Sequence, residues 1–417
     1  MYINRQLEVD IKPFLAKKEA ISIVGPRQAG KTTFIENLAK QFKNNGKTVK
    51  FITFEKRADL DLFNNNIEDF KKIILQYDVV FIDEFQYSKD GGQKLKYLYD
   101  TTEIKFIISG SSSLDLTFQT GKYMVGRLLE FSLMPFSFRE FLSARDQEMY
   151  NILPDKTGRN LFKFEIKNSF GQEINNRLIK LFEEYIIFGG YPAVVLSESN
   201  KEKEKILESI YSKYLLKDIK DLLRLATDSE LERLGKFLAG QIGNIIKYQE
   251  LSNASGLNYK ELKKHLNILE KTYIIALASP FFTNKRTELV KNPKIYFKDI
   301  GLRNYSLTDF RDCGVRNDIG AMVENYGYNL LTGIFGGNIK YWRTKAKAEV
   351  DFVIEKEQAI YPIEIKYSSK RIVGKSLFSF IEKFNPPAAT ILTKDYIGEE
   401  IINNTKIKFI PIIYLAQ

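Results

Sequence analysis

The sequence predicts an α/β protein whose first domain is a doubly wound parallel sheet, followed by a winged-helix segment and a small second α/β domain. Three observations carry this. Residues 20–25 read AISIVG, a short buried-strand pattern that runs directly into a glycine-rich loop and an amphipathic helix. Residues 79–84 read VVFIDE, four apolar residues closed by two acids, as in a buried parallel strand. Near the C-terminus, two further strand patterns carry Asp351 and the triplet Glu364, Ile365, Lys366.

The loop after the first strand is Gly25, Pro26, Arg27, Gln28, Ala29, Gly30, Lys31, Thr32, Thr33, the pattern GxxxxGK[ST] between a strand and a helix bearing Phe34, Ile35, Leu38, Ala39 and Phe42 on one stripe. Glycines let successive backbone N–H groups curl around a phosphate, and the helix N-terminus adds its positive dipole end. In such a loop Lys31 reaches the β- and γ-phosphates of ATP, and Thr32 offers its hydroxyl to Mg²⁺.

Asp83, at the carboxyl end of the second strand pattern, is the candidate for the magnesium shell. Glu84 is the candidate for polarising a water toward the γ-phosphate. Further strands are expected at 48–55, 104–109 and 128–133, with a helical stretch over 59–75. Ser109 to Ser113 follow a strand where a γ-phosphate-sensing group would sit, and a βα turn with a serine cap explains them equally well. Arg127 is either a charge stabiliser, in cis or in trans to a neighbouring subunit of an ATP-dependent homo-oligomer, or an ordinary surface arginine.

Together the stretches GPRQAGKTT, VVFIDEFQ, ISGSSS, GRLLEFSLMPFSFREF and FGGYP (188–192) resemble the AAA-type archaeal and bacterial ATPases, often grouped with the MNS clade of the STAND ATPases. The resemblance spans nearly the whole chain. It implies the α/β ATPase fold, the usual roles for Lys31, Thr32, Asp83 and Glu84, and Arg127 as a finger or sensor candidate. Serine at the sensor position departs from the asparagine of AAA proteins in general.

Residues 143–180 are polar with few periodic apolar positions, and read as a loop-rich insertion. Residues 201–205 alternate in charge like a solvated helix face, and 206–223 have helical spacing suited to packing on the first domain. Thr227 and Glu230 form a capping box before the stripe Leu231, Leu234, Phe237, Leu238, Ile242. A helix–turn–helix pattern follows, with a helix from Tyr248 to Ser255, a turn at Gly256 and a second helix capped by Asn258 and Glu261. On that second helix Leu262, Leu266 and Leu269 face inward, and Lys260, Lys263, Lys264, Asn267 and Lys271 share the outer face. Residues 273–278 and the strand after them would form a wing. A basic outer face suits DNA backbone or major-groove contact, and a spacer with solvated lysines is the alternative. His265 reads as a half-buried packing residue.

In the C-terminal region, 318–332 form a helix carrying Glu324, and strands are expected at 340–343, 348–355 and 359–367, with others at 389–394 and 406–415. Alternation puts Glu349 and Asp351 on one face, and Glu364 and Lys366 on one face. Two carboxylates near one point suit a hard cation such as Mg²⁺, and a nearby lysine would orient a water. The arrangement resembles the core of the PD-(D/E)XK nucleases, with Glu324, Asp351, Glu364 and Lys366 as the candidate set. A polar sheet face with exchanged ion pairs is the alternative. The expected domains are a P-loop ATPase core over 1–145, a helical lid or linker region over 146–225, a winged helix over 226–298 and a nuclease-like domain over 299–417.

Composition fits this organisation. The 417 residues are 44% hydrophobic and 28% charged, the balance of a globular chain. One cysteine, Cys313, and one histidine, His265, exclude an internal disulfide and a histidine-rich zinc site. The 63 basic residues against 52 acidic ones leave a net charge of +11, which favours nucleic acid as a partner. No apolar run is long enough to span a membrane, and the first ten residues lack a signal-peptide core, so a cytoplasmic location is expected. Two functions fit these residues: an ATPase with metal-dependent DNA processing, or a nucleotide-controlled DNA- or protein-binding switch with an inactive nuclease-like domain. A third is an ATPase that acts on protein and never touches DNA.

Overall fold

The computed structural model describes residues 2–110, 122–153, 161, 170–213 and 229–415. Every side chain of Val79–Asp83 is buried, and the alternation along that strand explains the first half of the molecule. Val79 and Phe81 point to one face, where they meet Phe34, Ile35 and Leu38 of the helix Lys31–Asn44. Val80 and Ile82 point to the other, against Phe63, Phe70, Leu95 and Leu98 of the helices Arg57–Asn65, Ile67–Ile74 and Gly91–Thr101. Each such apolar side chain contributes about 1.5–3 kcal/mol on burial, which fixes both layers to the sheet.

The sheet has strands β1 (Ala20–Val24), β2 (Val49–Thr53), β3 (Val79–Asp83), β4 (Lys105–Gly110) and β5 (Leu128–Ser132), in the order β2-β3-β4-β1-β5. All four pairings are parallel, so Val24, Asp83 and Gly110 end at one edge. The expected strands are present, with bounds that differ by one or two residues from those expected. The helical stretch expected over 59–75 is two helices, because Asn66 breaks it and its side chain caps the second by accepting from the Asp69 N–H at 3.1 Å.

The chain divides into two compact units, Met1–Phe136 with Lys271–Tyr273, and Ser137–Glu270 with Ile274–Gln417. In the second, the helices Phe138–Arg145, Gln172–Phe188 and Ile319–Phe335 meet through an aromatic cluster in which Phe138, Phe182 and Tyr326 contact one another edge-on. The expected loop-rich insertion over 143–180 is therefore corrected. Residues 172–188 form a helix held by Leu178, Ile179, Phe182, Ile186 and Ile187, and Gln147–Ile152 form another. Residues 154–160 and 162–169 lie outside the described set. The helix Asn200–Ile210 packs within this unit on Ile300–Leu307; of the stretch 206–223 expected to pack on the first domain, residues 214–223 lie outside the described set, as does Thr227.

Two antiparallel strands, β6 (Ile275–Ala278) and β7 (Lys294–Phe297), follow the helices Tyr248–Ser255 and Tyr259–Lys271. The C-terminal sheet joins β8 (Lys340–Arg343), β9 (Glu349–Lys356), β10 (Ala359–Lys366), β11 (Ala388–Thr393), β12 (Gly398–Ile402) and β13 (Thr405–Pro411) in the order β12-β13-β11-β10-β9-β8. The helix Lys375–Phe384 covers one side of it with Leu377, Phe380 and Ile381. Gly327 of the helix Ile319–Phe335 lies against Ile365, where a Cβ would stand 2.2 Å from that side chain.

Candidate functional site

The glycine-rich loop leaves β1 at the edge where the parallel strands end. Gly25 has φ +151° and lies so close to Leu133 that a Cβ would stand 2.1 Å from its carbonyl oxygen, so no other residue fits. Gly30, with φ +90°, turns the chain into the helix Lys31–Asn44, whose first N–H groups have no intrahelical acceptors. Lys31 is buried, and its ammonium donates to the carbonyls of Gly25 at 3.0 Å and Pro26 at 2.8 Å. Burial pushes its pKa down to about 8, against the opposing pull of Glu84 and Asp83. Behind the loop, buried Arg5 donates to the Ala29 carbonyl at 3.0 Å, with its guanidinium 4.8 Å from the Phe136 ring centre.

Thr32 donates to Asp83 at 2.7 Å, and Ser109 also donates to the Asp83 carboxylate, so three elements converge on one acid. Glu84, next in the chain, adopts φ +55° and accepts from the Gln86 amide; burial raises its pKa. Ser111, Ser112 and Ser113 lie outside the described residues.

Arg127 stands elsewhere. It precedes β5, whose register pairs Leu128 with Ala20, so it lies at the starting edge of the strands, roughly 13 Å along β1 from the loop. It pairs there with Asp100 at 3.0 Å. From there the side chain does not reach along the strand to its own loop, which leaves the readings in trans and as a surface arginine.

In the second unit, Asn258 caps the helix Tyr259–Lys271 through the Glu261 N–H at 3.0 Å, and Glu261 answers to the Asn258 N–H at 3.3 Å. Lys260, Lys263, Lys264, Asn267 and Lys271 are all exposed on it. Lys263 lies 4.7 Å from the Tyr259 ring centre. His265 is fully rather than half buried, and its Nδ1 lies 2.7 Å from the Glu261 carbonyl.

The four acid-cluster candidates meet a fifth group that sequence reasoning missed. Lys294 of β7, only 1% exposed, pairs with Glu349 at 2.6 Å and with Glu324 at 3.0 Å. Tyr296 donates to Glu324 at 2.7 Å. Burial opposes the charge on Lys294, and Glu324, Asp351 and Glu349 outweigh it, so its pKa is raised. Burial, reinforced by Asp351, lifts Glu324 to about 7. Asp351 accepts from the Ile365 N–H at 2.8 Å. Glu364, lifted by burial to about 7, lies 3.3 Å from Lys366. The structure thus brings all four together: Asp351 is within electrostatic reach of Glu324, Glu364 and Lys366, and Lys366, 3.3 Å from Glu364, is also within reach of Glu324.

These residues do not fit a metal as they stand. The Glu324 oxygen that faces β7 is taken by a lysine and a tyrosine, and one Asp351 oxygen by a backbone donor. Among the described residues no group of three or more histidine, cysteine or acidic side chains is placed to hold a metal ion.

Residues 17–142 match the family model described as AAA domain. With the loop geometry and the parallel sheet, that match decides the first unit. It is an AAA-type P-loop domain. Residues 179–312 and 319–414 match two domains of unknown function, DUF8612 and DUF4143. Similar proteins include an uncharacterised protein of Methanocaldococcus jannaschii, 24% identical over 363 residues that cover 84% of this chain and 75% of that one. Another, from Haemophilus influenzae, is 23% identical over 83% of this chain and 82% of its own. Among solved structures, DnaA from Aquifex aeolicus bound to AMPPCP aligns over 65% of this chain and 88% of that one, with 16% identity and a TM-score of 0.30. The Pif1 helicase of Candida albicans aligns over 43% and 48%, with 12% identity and a TM-score of 0.26.

The residues missed in and around the AAA-type domain's site are Arg5 and Gln86. Arg5 reaches the loop from 24 positions upstream, a contact with no local signature. Lys294 had a faint one: a lysine opening the otherwise apolar strand KIYF. Among the described residues no helix is long and apolar enough to cross a membrane.

Proposed function

We propose that the chain binds ATP with Mg²⁺ at residues 25–33, hydrolyses it, and uses its nucleotide state to control how the second unit engages DNA. One observation carries the first part. The Lys31 ammonium is buried with only loop carbonyls as hydrogen-bond partners, a cation held in place for an anion. Thr32 and Asp83 would hold Mg²⁺, which when bound neutralises charge on the phosphates. Lys31 binds the phosphate oxygens. Glu84, its proton affinity raised by burial, takes a proton from water at its carboxylate, and Gln86 fixes that carboxylate's direction. Ser109 orients Asp83. Arg127 lies too far along the sheet to serve this chain's own loop, which favours service in trans within an ATP-dependent homo-oligomer.

The exposed lysines at 260, 263, 264 and 271, with Asn267, support DNA-backbone contact by a winged helix built from Tyr248–Ser255, Tyr259–Lys271, β6 and β7. Lys294 supports the switch over metal-dependent cleavage, because it holds Glu324, one of the acids that a metal would need. The test is titration of a fluorescent ATP analogue with Mg²⁺, followed by DNA affinity in the ADP and non-hydrolysable ATP states. Lys31→Ala is expected to lose nucleotide binding. Unimpaired binding by that variant would refute the site, and equal DNA affinity in both states would refute the switch.

A further inference from the structure

A cleft of about 780 Å³ opens in the second unit between residues 280–292, 341–345 and the end of the helix Lys375–Phe384. Its size falls in the range of sites that enclose a small ligand. Its floor is fixed. Phe281 donates its N–H to the Tyr341 carbonyl at 2.5 Å, Tyr341 donates its own to Ser279 at 3.1 Å, and the Tyr341 hydroxyl donates to the Asn292 carbonyl at 2.7 Å. Trp342 is wedged edge-on against Phe380 and Phe384, with ring centres 5.2 and 6.0 Å away.

The charge around this floor has one sign. Lys291, Arg343, Lys345 and Lys383 line the cleft, and no aspartate or glutamate does. Arg343 is bound to Glu349 at 2.9 Å. The three lysines are exposed and have no carboxylate partner among the described residues. Phe282 and Phe384, both half-buried, present ring surface beside them. Backbone-seeking cations interleaved with aromatic surface are what an unpaired strand needs, with phosphates on the lysines and bases on the rings. A duplex keeps its bases paired and stacked inside, so it offers the rings no base face to meet. An acidic peptide would use the lysines and leave the rings without a stacking partner.

We infer that this cleft binds single-stranded nucleic acid, with phosphates on Lys291, Lys345 and Lys383 and a base against Phe282 and Phe384. The inference rests on the reading of the protein as a DNA-binding one, and gives the second unit a site separate from the helix Tyr259–Lys271. Through the ion pairs of Arg343 with Glu349 and of Glu349 with Lys294, the cleft adjoins the acid cluster.

The chain's single tryptophan lies in the cleft floor and supplies the readout. Full-length protein is titrated with a twelve-residue oligothymidylate while Trp342 emission is followed, and with a labelled duplex by anisotropy. The oligonucleotide is expected to change Trp342 emission saturably. The surface double variant Lys345→Glu/Lys383→Glu should weaken that binding about tenfold or more and reduce the salt slope by about 1.4, two phosphates' worth. Lys263→Glu/Lys264→Glu should weaken the duplex and leave the oligonucleotide within twofold. Unchanged Trp342 emission, unchanged affinity in the cleft variant, or equal binding of polyglutamate would overturn the cleft proposal. If the helix variant weakens both ligands alike and the cleft variant neither, the cleft fails and the DNA reading stands. If no nucleic acid binds at all, both fail.

Discussion

The Thr32 hydroxyl donates to the Asp83 carboxylate at 2.7 Å, joining the first turn of the helix after the glycine-rich loop to the end of β3, 51 residues later. Ser109 reaches the same carboxylate from β4. Two chain segments thus fix one acid before any ligand arrives. Thr32→Val keeps the shape and removes the hydroxyl. ATP hydrolysis is expected to fall about 100-fold, with half-saturation moved to higher Mg²⁺. A phosphate-release assay across a Mg²⁺ titration checks this, and wild-type Mg²⁺ dependence would contradict it.

Lys31 gives a pH dependence with a definite sign. Burial holds its pKa near 8, so the ligand-free ammonium loses its proton as the pH rises through about 8, well below the ordinary value of about 10.4. Phosphate favours the charged form. ATP binding at pH 8.5 should therefore take up a fraction of a proton, and affinity should fall as the pH rises further. Calorimetry in two buffers of different ionisation enthalpy measures the uptake, and Lys31→Arg should abolish it if it still binds.

Lys294 is the counter-ion for two acids, and removing it strands Glu324, whereas Glu349 keeps Arg343 at 2.9 Å. Lys294→Met is expected to destabilise the second unit by about 3–5 kcal/mol. Adding Glu324→Gln should return much of the loss, because the stranded charge is gone. Urea unfolding of the two variants compares them, and equal stability of the single and double variants would contradict the pairing.

Glu364 carries the opposite sign from a salt-bridged surface acid. Its folded pKa, about 7, lies above its unfolded value, so the folded state holds the extra proton. Its contribution is present in full below the unfolded value near 4.3 and is lost as the pH rises through 7. Glu364→Gln should therefore stabilise the protein at pH 8, by on the order of 1–2 kcal/mol, and much less at pH 5. Thermal unfolding at the two pH values tests the difference.

The FGGYP stretch has a structural explanation. Gly189 has φ +77°, and a Cβ there would stand 2.4 Å from Oδ1 of Asp299, whose Oδ2 accepts the Gly190 N–H at 2.8 Å. Gly189→Ala should cost about 2–3 kcal/mol through strain and displacement of Asp299, read as a lower urea midpoint.

Much of the first unit was legible because its signals are local. The strand, loop and helix over 20–44 are contiguous, and VVFIDE announces both a buried strand and the acids at its end. The helices Tyr248–Ser255 and Tyr259–Lys271 were legible for the same reason, down to the Asn258 and Glu261 cap. The helix Gln172–Phe188 was not, because its apolar stripe is diluted by Gln172, Glu173, Asn175, Asn176 and Arg177 at its start. Arg127 could not be placed without the register of β5 on β1, a property of pairing and not of residue type. Lys294 was hidden by distance in sequence. Its partners lie 30 and 55 positions away, and a lone lysine on a short strand reads as solvated.

The most direct test of the central claim is steady-state ATP hydrolysis with Mg²⁺ by the wild type and Glu84→Gln, with nucleotide binding measured on the same samples. ATP turnover by the wild type, with turnover at least about 100-fold lower in a variant that still binds ATP, is the predicted result. Hydrolysis by Glu84→Gln at the wild-type rate, or no ATP binding by the wild type, would contradict it.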